Sequence, residues 1–368
     1  MIVFKSTQDR VLAALQSVNG IVERRHTMPI LANVLIRKSQ AHVELTTSDL
    51  EIQIQNQTDI GGDEGEFSTT VSARKLIDIL RTMAPDQLVS LEANNGKLLL
   101  KGGKSRFTLQ SLPATDFPLV QEAASFGPQF SIPQKTLKRL LSQVAFAMAV
   151  QDIRYYLNGI LFVAEGQRLS LVATDGHRMA LASATLETEV PKQEVILPRK
   201  TVLELQRLLS DGDDDIAMQF AHNQAKFQLG SMRFVTKLVE GKFPDYKRVI
   251  PANHPNRLVL GRAAFLAALQ RTAIMTTDKF KGVRLNLDAG VLRVAASNAE
   301  QEEAMDELDI DYAGDSIEIG FNVVYLMDVL SNMSQDMICL SLADGNSSAL
   351  FTLPEDDDFK YVVMPMRI

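Results

Sequence analysis

One run of sequence features occurs three times along this chain in the same order, and that repetition constrains the fold more than any other property. Each third begins with an apolar face at helical spacing: Val11, Leu12, Leu15 and Val18; then Leu137, Leu140, Leu141, Val144 and Met148; then Phe265, Leu266, Leu269 and Ala273. Alternating, β-branched stretches follow at Leu45–Ile54, Leu169–Leu181 and Val291–Ala295. They carry short polar turns at Thr47-Ser48-Asp49, Thr174-Asp175-Gly176 and Ser297-Asn298-Ala299. A second helix opens at Ala73-Arg74-Lys75-Leu76-Ile77, Pro198-Arg199-Lys200-Thr201-Val202 and Phe321-Asn322-Val323-Val324-Tyr325. The period is therefore about 125 residues, an ordinary domain size. Strands close each third at Ser105-Arg106-Phe107, Met232-Arg233-Phe234 and Ala349-Leu350-Phe351. The expectation is an α+β chain of three diverged copies, residues 1–126, 127–252 and 253–368, each with two helices packed on antiparallel sheet. The boundaries fall where Pro and Gly cluster, at Ser125–Pro128 and Pro251–Pro255.

Composition agrees with several cores: 368 residues, 46% of them hydrophobic, exceed what one core serves. No apolar run approaches the ~18–20 residues of a membrane span. Met1-Ile2-Val3-Phe4-Lys5 lacks the basic segment, apolar stretch and cleavage site of a secretion signal, so a cytoplasmic location is the default expectation. The single cysteine, Cys339, sits between Ile338 and Leu340 in a strand-like run and reads as a buried structural thiol.

A search for catalytic chemistry finds little. Gly61-Gly62-Asp63-Glu64-Gly65 lacks the Lys and the following helix of a phosphate-binding loop, and no serine-nucleophile elbow, H-E-x-x-H or paired C-x-x-C is present. The acidic runs Asp211–Asp215 and Glu355–Asp358 do not follow the calcium-loop ligand order and read as solvated loops. Asp175-Gly176-His177-Arg178 is the most enzyme-like string, but Asp-Gly in a strand-like stretch is first a turn. A binding scaffold without metal or cofactor is expected, against a metal-dependent phosphoesterase built on Asp211–Asp215.

The formal charge of −7 argues against nucleic acid until the basic residues are located. They concentrate on or beside the expected helices: Arg10, Arg24, Arg25, Arg74, Lys75 and Arg81; Lys135, Lys138, Arg139, Arg154, Arg199, Lys200 and Arg207; Arg262, Arg271, Lys279, Lys281 and Arg284. Acidic residues crowd the loops and the segment Glu300–Asp311. Basic helices on an acidic body suit sequence-blind phosphate contact. Few aromatics apart from Tyr155 and Tyr156 lie among them, so base stacking is not the main mode.

Several long strings then stand in one order over the whole chain: Met28-Pro29-Ile30-Leu31-Ala32-Asn33, Gln151-Asp152-Ile153-Arg154-Tyr155-Tyr156-Leu157-Asn158-Gly159, Ala173-Thr174-Asp175-Gly176-His177-Arg178, Phe243-Pro244-Asp245-Tyr246, Gly320-Phe321-Asn322-Val323 and Val362-Val363-Met364-Pro365-Met366-Arg367. On these the chain resembles the bacterial DNA polymerase III β subunits, the replicative sliding clamps. The resemblance implies a non-catalytic, head-to-tail homodimer whose six domains close a ring around double-stranded DNA, helices lining the hole. Processivity would follow from tethering the polymerase, while the clamp loader and repair proteins would also dock through short linear motifs.

Site residues follow from the resemblance. One dimer surface would use Lys75, Lys104, Arg106, Phe107 and Leu109, and its mate Ile274, Met275, Glu300, Glu302 and Glu303. Met275 stands where the family pattern has Leu, a volume-conserving change. A peptide pocket would be lined in one part by Arg154, Leu157, Thr174, Gly176, His177, Arg178, Met179, Pro244, Arg248, Val249, Val362 and Met366. Asn322, Tyr325, Ser348, Met364, Pro365 and Arg367 would complete it. DNA would meet Arg24, Gln151, Tyr155, Tyr156, Arg199 and Lys200, with Arg74, Arg81, Arg207 and Arg284 as further candidates. An adaptor that binds peptides without encircling DNA is the alternative reading.

Overall fold

A computed structural model of the chain describes residues 1–23 and 27–368. The first repeat contains β1 (Ile2–Thr7), α1 (Gln8–Val18), β2 (Asn33–Ser39), β3 (His42–Ser48), β4 (Ile52–Thr58), β5 (Glu66–Ser72), α2 (Ala73–Leu80), β6 (Leu88–Asn94), β7 (Lys97–Gly102), β8 (Ser105–Leu109) and β9 (Ser111–Leu112). The second contains β10 (Phe130–Pro133), α3 (Gln134–Val144), β11 (Gly159–Thr174), β12 (Arg178–Pro198), α4 (Arg199–Leu208), β13 (Asp215–Phe220), β14 (Gln224–Leu229) and β15 (Met232–Lys237). The third contains β16 (Asn256–Gly261), α5 (Arg262–Ala273), β17 (Gly282–Asp288), β18 (Val291–Ser297), β19 (Glu303–Asp309), β20 (Ile317–Asn322), α6 (Val323–Ser331), β21 (Met337–Leu342), β22 (Ala349–Leu353) and β23 (Asp356–Val363).

Packing gathers these elements into two compact units, residues 1–134 with 203–238 and residues 135–202 with 239–368. The first unit holds a four-stranded sheet, order β1-β6-β7-β8, and a nine-stranded sheet, order β10-β13-β14-β15-β4-β3-β2-β5-β9. The second holds a six-stranded sheet, order β11-β12-β23-β22-β21-β16, and a four-stranded sheet, order β19-β18-β17-β20. All the strand pairings are antiparallel.

The repetition is exposed by these orders. β1-β6-β7-β8, β10-β13-β14-β15 and β16-β21-β22-β23 are three copies of one arrangement. β4-β3-β2-β5 and β19-β18-β17-β20 are two copies of another. The middle repeat makes the same shape from two long strands, β11 and β12, whose register shifts around Gly166 at a left-handed φ of 59°. One sequence alignment is corrected here. Ala349-Leu350-Phe351 falls in β22, the third strand of its copy, so the counterpart of β8 and β15 is β23. Successive antiparallel strands share one alternation, and pattern alone does not count them.

Repeats are joined through sheet. β15 pairs with β4, placing buried Phe234 opposite buried Ile54. β23 pairs with β12, placing buried Tyr361 opposite Ala180 and Phe359 opposite Ala182. The equivalent strands β8 and β19 have no such partner among the described residues and remain sheet edges.

Helices form where the periodicity placed them, except that α3 ends at Val144 and leaves Met148 beyond it in extended conformation. α3 buries Leu137, Leu140, Leu141 and Val144 completely, and α1 buries Val11, Ala14, Leu15 and Val18. α2 begins at Ala73 as the sequence string suggests, whereas α4 and α6 start one and two residues later than theirs, because Pro198 and Phe321 still belong to strands. Ser72 and Asn322 are N-caps, their side chains accepting from the N–H of Lys75 (3.3 Å) and Val324 (3.0 Å). α1 packs on α2, β3 and β4, and α5 on α6, β18 and β19. α6 touches β20 and β23, strands of two sheets rather than one. No helix among the described residues is long and apolar enough to cross a membrane.

Candidate functional site

The three polar turns share one device. Asp49 Oδ1 accepts from the N–H of Glu51 (2.9 Å) and Ile52 (2.7 Å), and Asp175 Oδ1 from His177 (2.9 Å) and Arg178 (3.1 Å). Asn298 Oδ1 accepts from Glu302 (2.9 Å). Such side chains replace backbone partners in tight turns. The enzyme-like string is therefore a hairpin turn: Thr174 Oγ1 donates to the Arg178 carbonyl at 2.6 Å and Gly176 takes φ 90°.

Around that turn the second unit brings together several of the residues expected to line the pocket. The Met364 N–H donates to the His177 carbonyl at 3.0 Å. The His177 ring stacks on Tyr325 of α6, centroids 6.4 Å apart. Arg154 reaches the same turn, donating to the Asp175 carbonyl at 3.2 Å, and its guanidinium occupies the space a side chain at position 176 would need. Arg154 also pairs with Asp152 at 2.8 Å, and that bond, with a backbone bond, lowers the Asp152 carboxyl to about 2. Pro244, Arg248 and Val249 are exposed beside Phe243, which belongs to the core beneath; Arg248 pairs with Asp245 at 2.9 Å.

Four expected lining residues are placed differently. Leu157, Met179 and Val362 are almost wholly buried in one cluster with Phe243, so they form the floor rather than an open wall. Arg178 is largely enclosed and its nitrogens are committed within the chain: Nε to Asp175 (3.2 Å), one Nη to Asp328 and the other to the Phe146 carbonyl (2.9 Å). Its guanidinium lies 4.5 Å from the Tyr325 ring centre. Burial alone would weaken its charge, but Tyr361 and Asp328 more than offset this and raise its pKa, while burial pushes the Tyr361 phenol up. Arg178 thus ties the turn to α6 instead of offering a donor to a ligand. Asp328 was missed at sequence level; its i, i+3 spacing from Tyr325 on one helix face was the available signal.

The open part of the site is a cavity of about 780 Å³ lined by Ser348, Met364, Pro365, Met366 and Arg367, together with Glu318, Gly320, Gly345 and Asn346. Arg284 also lines it, paired with Glu318 at 3.3 Å. Val283 and Leu285 face the core, so alternation along β17 puts Arg284 on the sheet face opposite α5 and α6. It stands apart from the helices on which the other DNA candidates were sought.

Of those candidates, Arg24 lies outside the described residues. Arg74 and Arg81 are exposed on or beside α2, both near Asp78 (3.4 and 4.0 Å). Gln151 and Tyr155 are exposed on a loop that Asp152 and Asn158 pin by mutual bonds of 3.0 and 2.9 Å. Tyr156 meets Tyr155 edge-on at 5.8 Å. Arg199 and Lys200 open α4, half-buried. Arg207, its side chain 41% exposed, is ion-paired with buried Glu204 and donates to the Gln16 carbonyl at 3.0 Å. In the third repeat, Arg262 caps α6 through the Leu330 carbonyl (3.0 Å) and Arg271 pairs with Asp306.

The expected interface residues lie on or next to β8 and β19, which are sheet edges, and on or beside α2 and α5. Lys104 and Arg106 are exposed at β8, Phe107 is half-buried, Leu109 is buried, and Lys75 is exposed on α2. At the other edge, Ile274 is 75% exposed, Met305 of β19 is 64% exposed, Met275 is half-buried, and Glu300, Glu302 and Glu303 are exposed.

Among the described residues no group of three or more His, Cys, Asp and Glu is arranged to hold a metal. Asp211–Asp215 joins α4 to β13, and Glu355 makes the β22–β23 turn at φ 60°. Cys339 is buried in β21.

Three repeated α+β domains, unpaired edges at β8 and β19 and an open cavity of mixed polar and apolar lining are the features of a scaffold protein. Family models for the DNA polymerase III beta subunit match the N-terminal domain at residues 2–121, the central domain at 131–245 and the C-terminal domain at 247–367. The chain is 44% identical to the beta sliding clamp of Pseudomonas aeruginosa over 371 residues, covering 99% of this chain and all of the relative. A structure of the P. aeruginosa clamp bound to griselimycin superposes with TM-score 0.96 at 43% identity, and 99% of each chain is covered. The Caulobacter crescentus clamp, with polyethylene glycol bound to a putative beta-motif tethering region, superposes with TM-score 0.93 at 33% identity, again over 99% of each. The chain belongs to the DNA polymerase III beta subunit family, the non-catalytic processivity clamps.

Proposed function

We propose that this clamp works as a head-to-tail homodimer, in which domains 1–126, 127–252 and 253–368 of two copies close a six-domain ring around double-stranded DNA. The observation that carries this reading is the pair of open edges. In two places β4-type and β8-type strands of adjacent repeats pair, β4 with β15 and β12 with β23. The third such pairing needs β8 of one copy and β19 of another. Two different surfaces meeting head to tail either grow a filament or close, and three repeats per chain with two chains close after six. Basic β8 against acidic β19, around Phe107, Ile274 and Met305, favours this pairing over β8 with β8 or β19 with β19.

Holding DNA by enclosure requires little affinity. Non-specific contact of roughly 10⁻⁴–10⁻⁶ M at physiological salt is weak enough to slide and is sufficient when escape requires opening an edge or reaching a DNA end. Arg24, Arg74, Arg81, Gln151, Tyr155, Tyr156, Arg199 and Lys200 are the contacts we favour. Arg207, neutralised by Glu204, is a minor one, and Arg284 is set aside because of its sheet face. The polymerase, the clamp loader and repair proteins would dock short linear motifs in the pocket bounded by His177, Tyr325 and Met364–Arg367, above the Leu157–Met179–Val362 floor. We place griselimycin in the same pocket. No cofactor enters this reading, and its place is the cytoplasm.

Light scattering on wild type and on the Ile274→Ala, Met275→Ala double variant tests it. The wild-type mass should lie near twice 40.7 kDa and halve in the variant, which should also lose retention on nicked circular DNA. A wild-type monomer at micromolar concentration would leave a peptide-binding adaptor as the better account.

A further inference from the structure

The segment Met364–Ile368 is held at two points. Its Met364 N–H bonds the hairpin turn at the His177 carbonyl, and its Met366 N–H bonds the Gly320 carbonyl of β20 at 2.7 Å. Pro365 between them has no N–H to give. On the face of β20 and β17 beneath Met366 and Ile368 stand two glycines. Gly320 pairs with Arg284 and Gly282 with Asn322, so both glycines point to the face opposite buried Val283 and Phe321. A Cβ on Gly320 would lie 2.4 Å from the Met366 carbonyl oxygen and 2.6 Å from side-chain carbons of Ile368. On Gly282 it would lie 2.8 Å from the Phe280 ring and 3.1 Å from an Ile368 methyl. Neither glycine has a positive φ, so the strand itself would accept alanine. Glycine inside a strand weakens it and commonly marks a close approach of another backbone. Here the approaching backbone is a wall of the pocket.

We propose that Gly320, helped by Gly282, is a positioning residue of the peptide pocket: it clears a seat for Met366 and Ile368, and the seated segment holds Met364 and Met366 where a docked ligand meets them. This rests on the pocket reading above. The two sites differ in kind. At Gly320 the obstacle is backbone, which moves only if the whole segment moves. At Gly282 the obstacles are side-chain ends that can rotate aside.

The test is griselimycin titration by calorimetry on the full chain, for wild type, Gly320→Ala, Gly282→Ala and Ile368→Ala, with amide exchange followed at Met364 and Met366. Light scattering and circular dichroism report whether each variant is folded and assembled. Gly320→Ala should weaken binding about tenfold or more, and Gly282→Ala by less than about threefold. Ile368→Ala, which leaves both strands intact, should fall between them. The Met366 amide of Gly320→Ala should exchange at least about tenfold faster, since its bond to residue 320 is displaced. Wild type that takes up no griselimycin would overturn the pocket reading and this inference with it. Wild type that binds, alongside a folded Gly320→Ala with a released Met366 amide and unchanged affinity, would overturn the seat alone. Should Gly320→Ala fail to fold, unchanged affinity in Ile368→Ala would overturn it equally.

Discussion

The pairing of β4 with β15 and the open edges β8 and β19 occupy equivalent positions in the repeat, yet they are built from different residues. β4 carries Ile52, Gln53, Ile54, Gln55, Asn56 and Gln57, with no charge. Its partner β15 puts Phe234 into the core and, like β8, keeps basic residues, Arg233 paired with Glu122 and Lys237, so the two pairings differ on the β4 and β19 side. β8 carries Arg106 after Lys104, whereas β19 carries Glu303, Asp306, Glu307 and Asp309. The β4 edge, covered within the first unit, is uncharged. An edge that must wait in water for its mate is protected by charge, and opposite charges on the two edges select which pairing forms. On the proposed dimer, one strand position would serve as permanent seam or as openable joint according to the side chains on its β4-type strand.

The seam is the stronger and gives the largest expected effect. Phe234→Ala should lower the stability of the chain by about 3–5 kcal/mol, read by urea unfolding, because a fully buried ring, edge-on to Phe227 of β14 and opposite Ile54 of β4, leaves a cavity on the core face of the seam. A loss below about 1 kcal/mol would mean the seam relaxes and is no tighter than the open edges.

Charge reversal tests the joint. Arg106→Glu should weaken the dimer about 10- to 100-fold by sedimentation, equivalent to about 1.4–2.8 kcal/mol, while leaving each chain folded. Adding Glu303→Lys in the same chain should recover much of the loss, because each edge then again meets its opposite. No recovery would place these two residues out of each other's reach.

Salt gives the smallest effect. Between 0.1 and 1 M the screening length falls from about 10 to about 3 Å, so the wild-type dimer constant should weaken severalfold. The doubly reversed chain should respond alike. A constant indifferent to salt would assign the joint to Phe107, Ile274 and Met305 instead of the charges around them.

Much of this was legible in the sequence, for identifiable reasons. α3 was readable because Leu137, Leu140, Leu141 and Val144 all turn inward on a regular helix. The turn at Asp175 was readable because Asp-Gly has few other uses in a strand-rich stretch. The count of closing strands was not, and Ala349–Phe351 was matched to β8 although β23 holds that place. The strings brought several pocket candidates to one turn, but their exposure was not legible. Leu157, Met179 and Val362 went into the core, and Arg178 was spent on Asp175, Asp328 and the Phe146 carbonyl, partners distant in the chain.

The sequence by itself determined three copies of one domain, their helices, their turns and the opposite charges of two strands, because periodicity, turn chemistry and charge are local properties. Only the tertiary structure decided which strands were left unpaired, which arginine was enclosed, and which backbone lies against Gly320. Those outcomes depend on what lies across a sheet from a residue, and that neighbour comes from chain hundreds or tens of positions away.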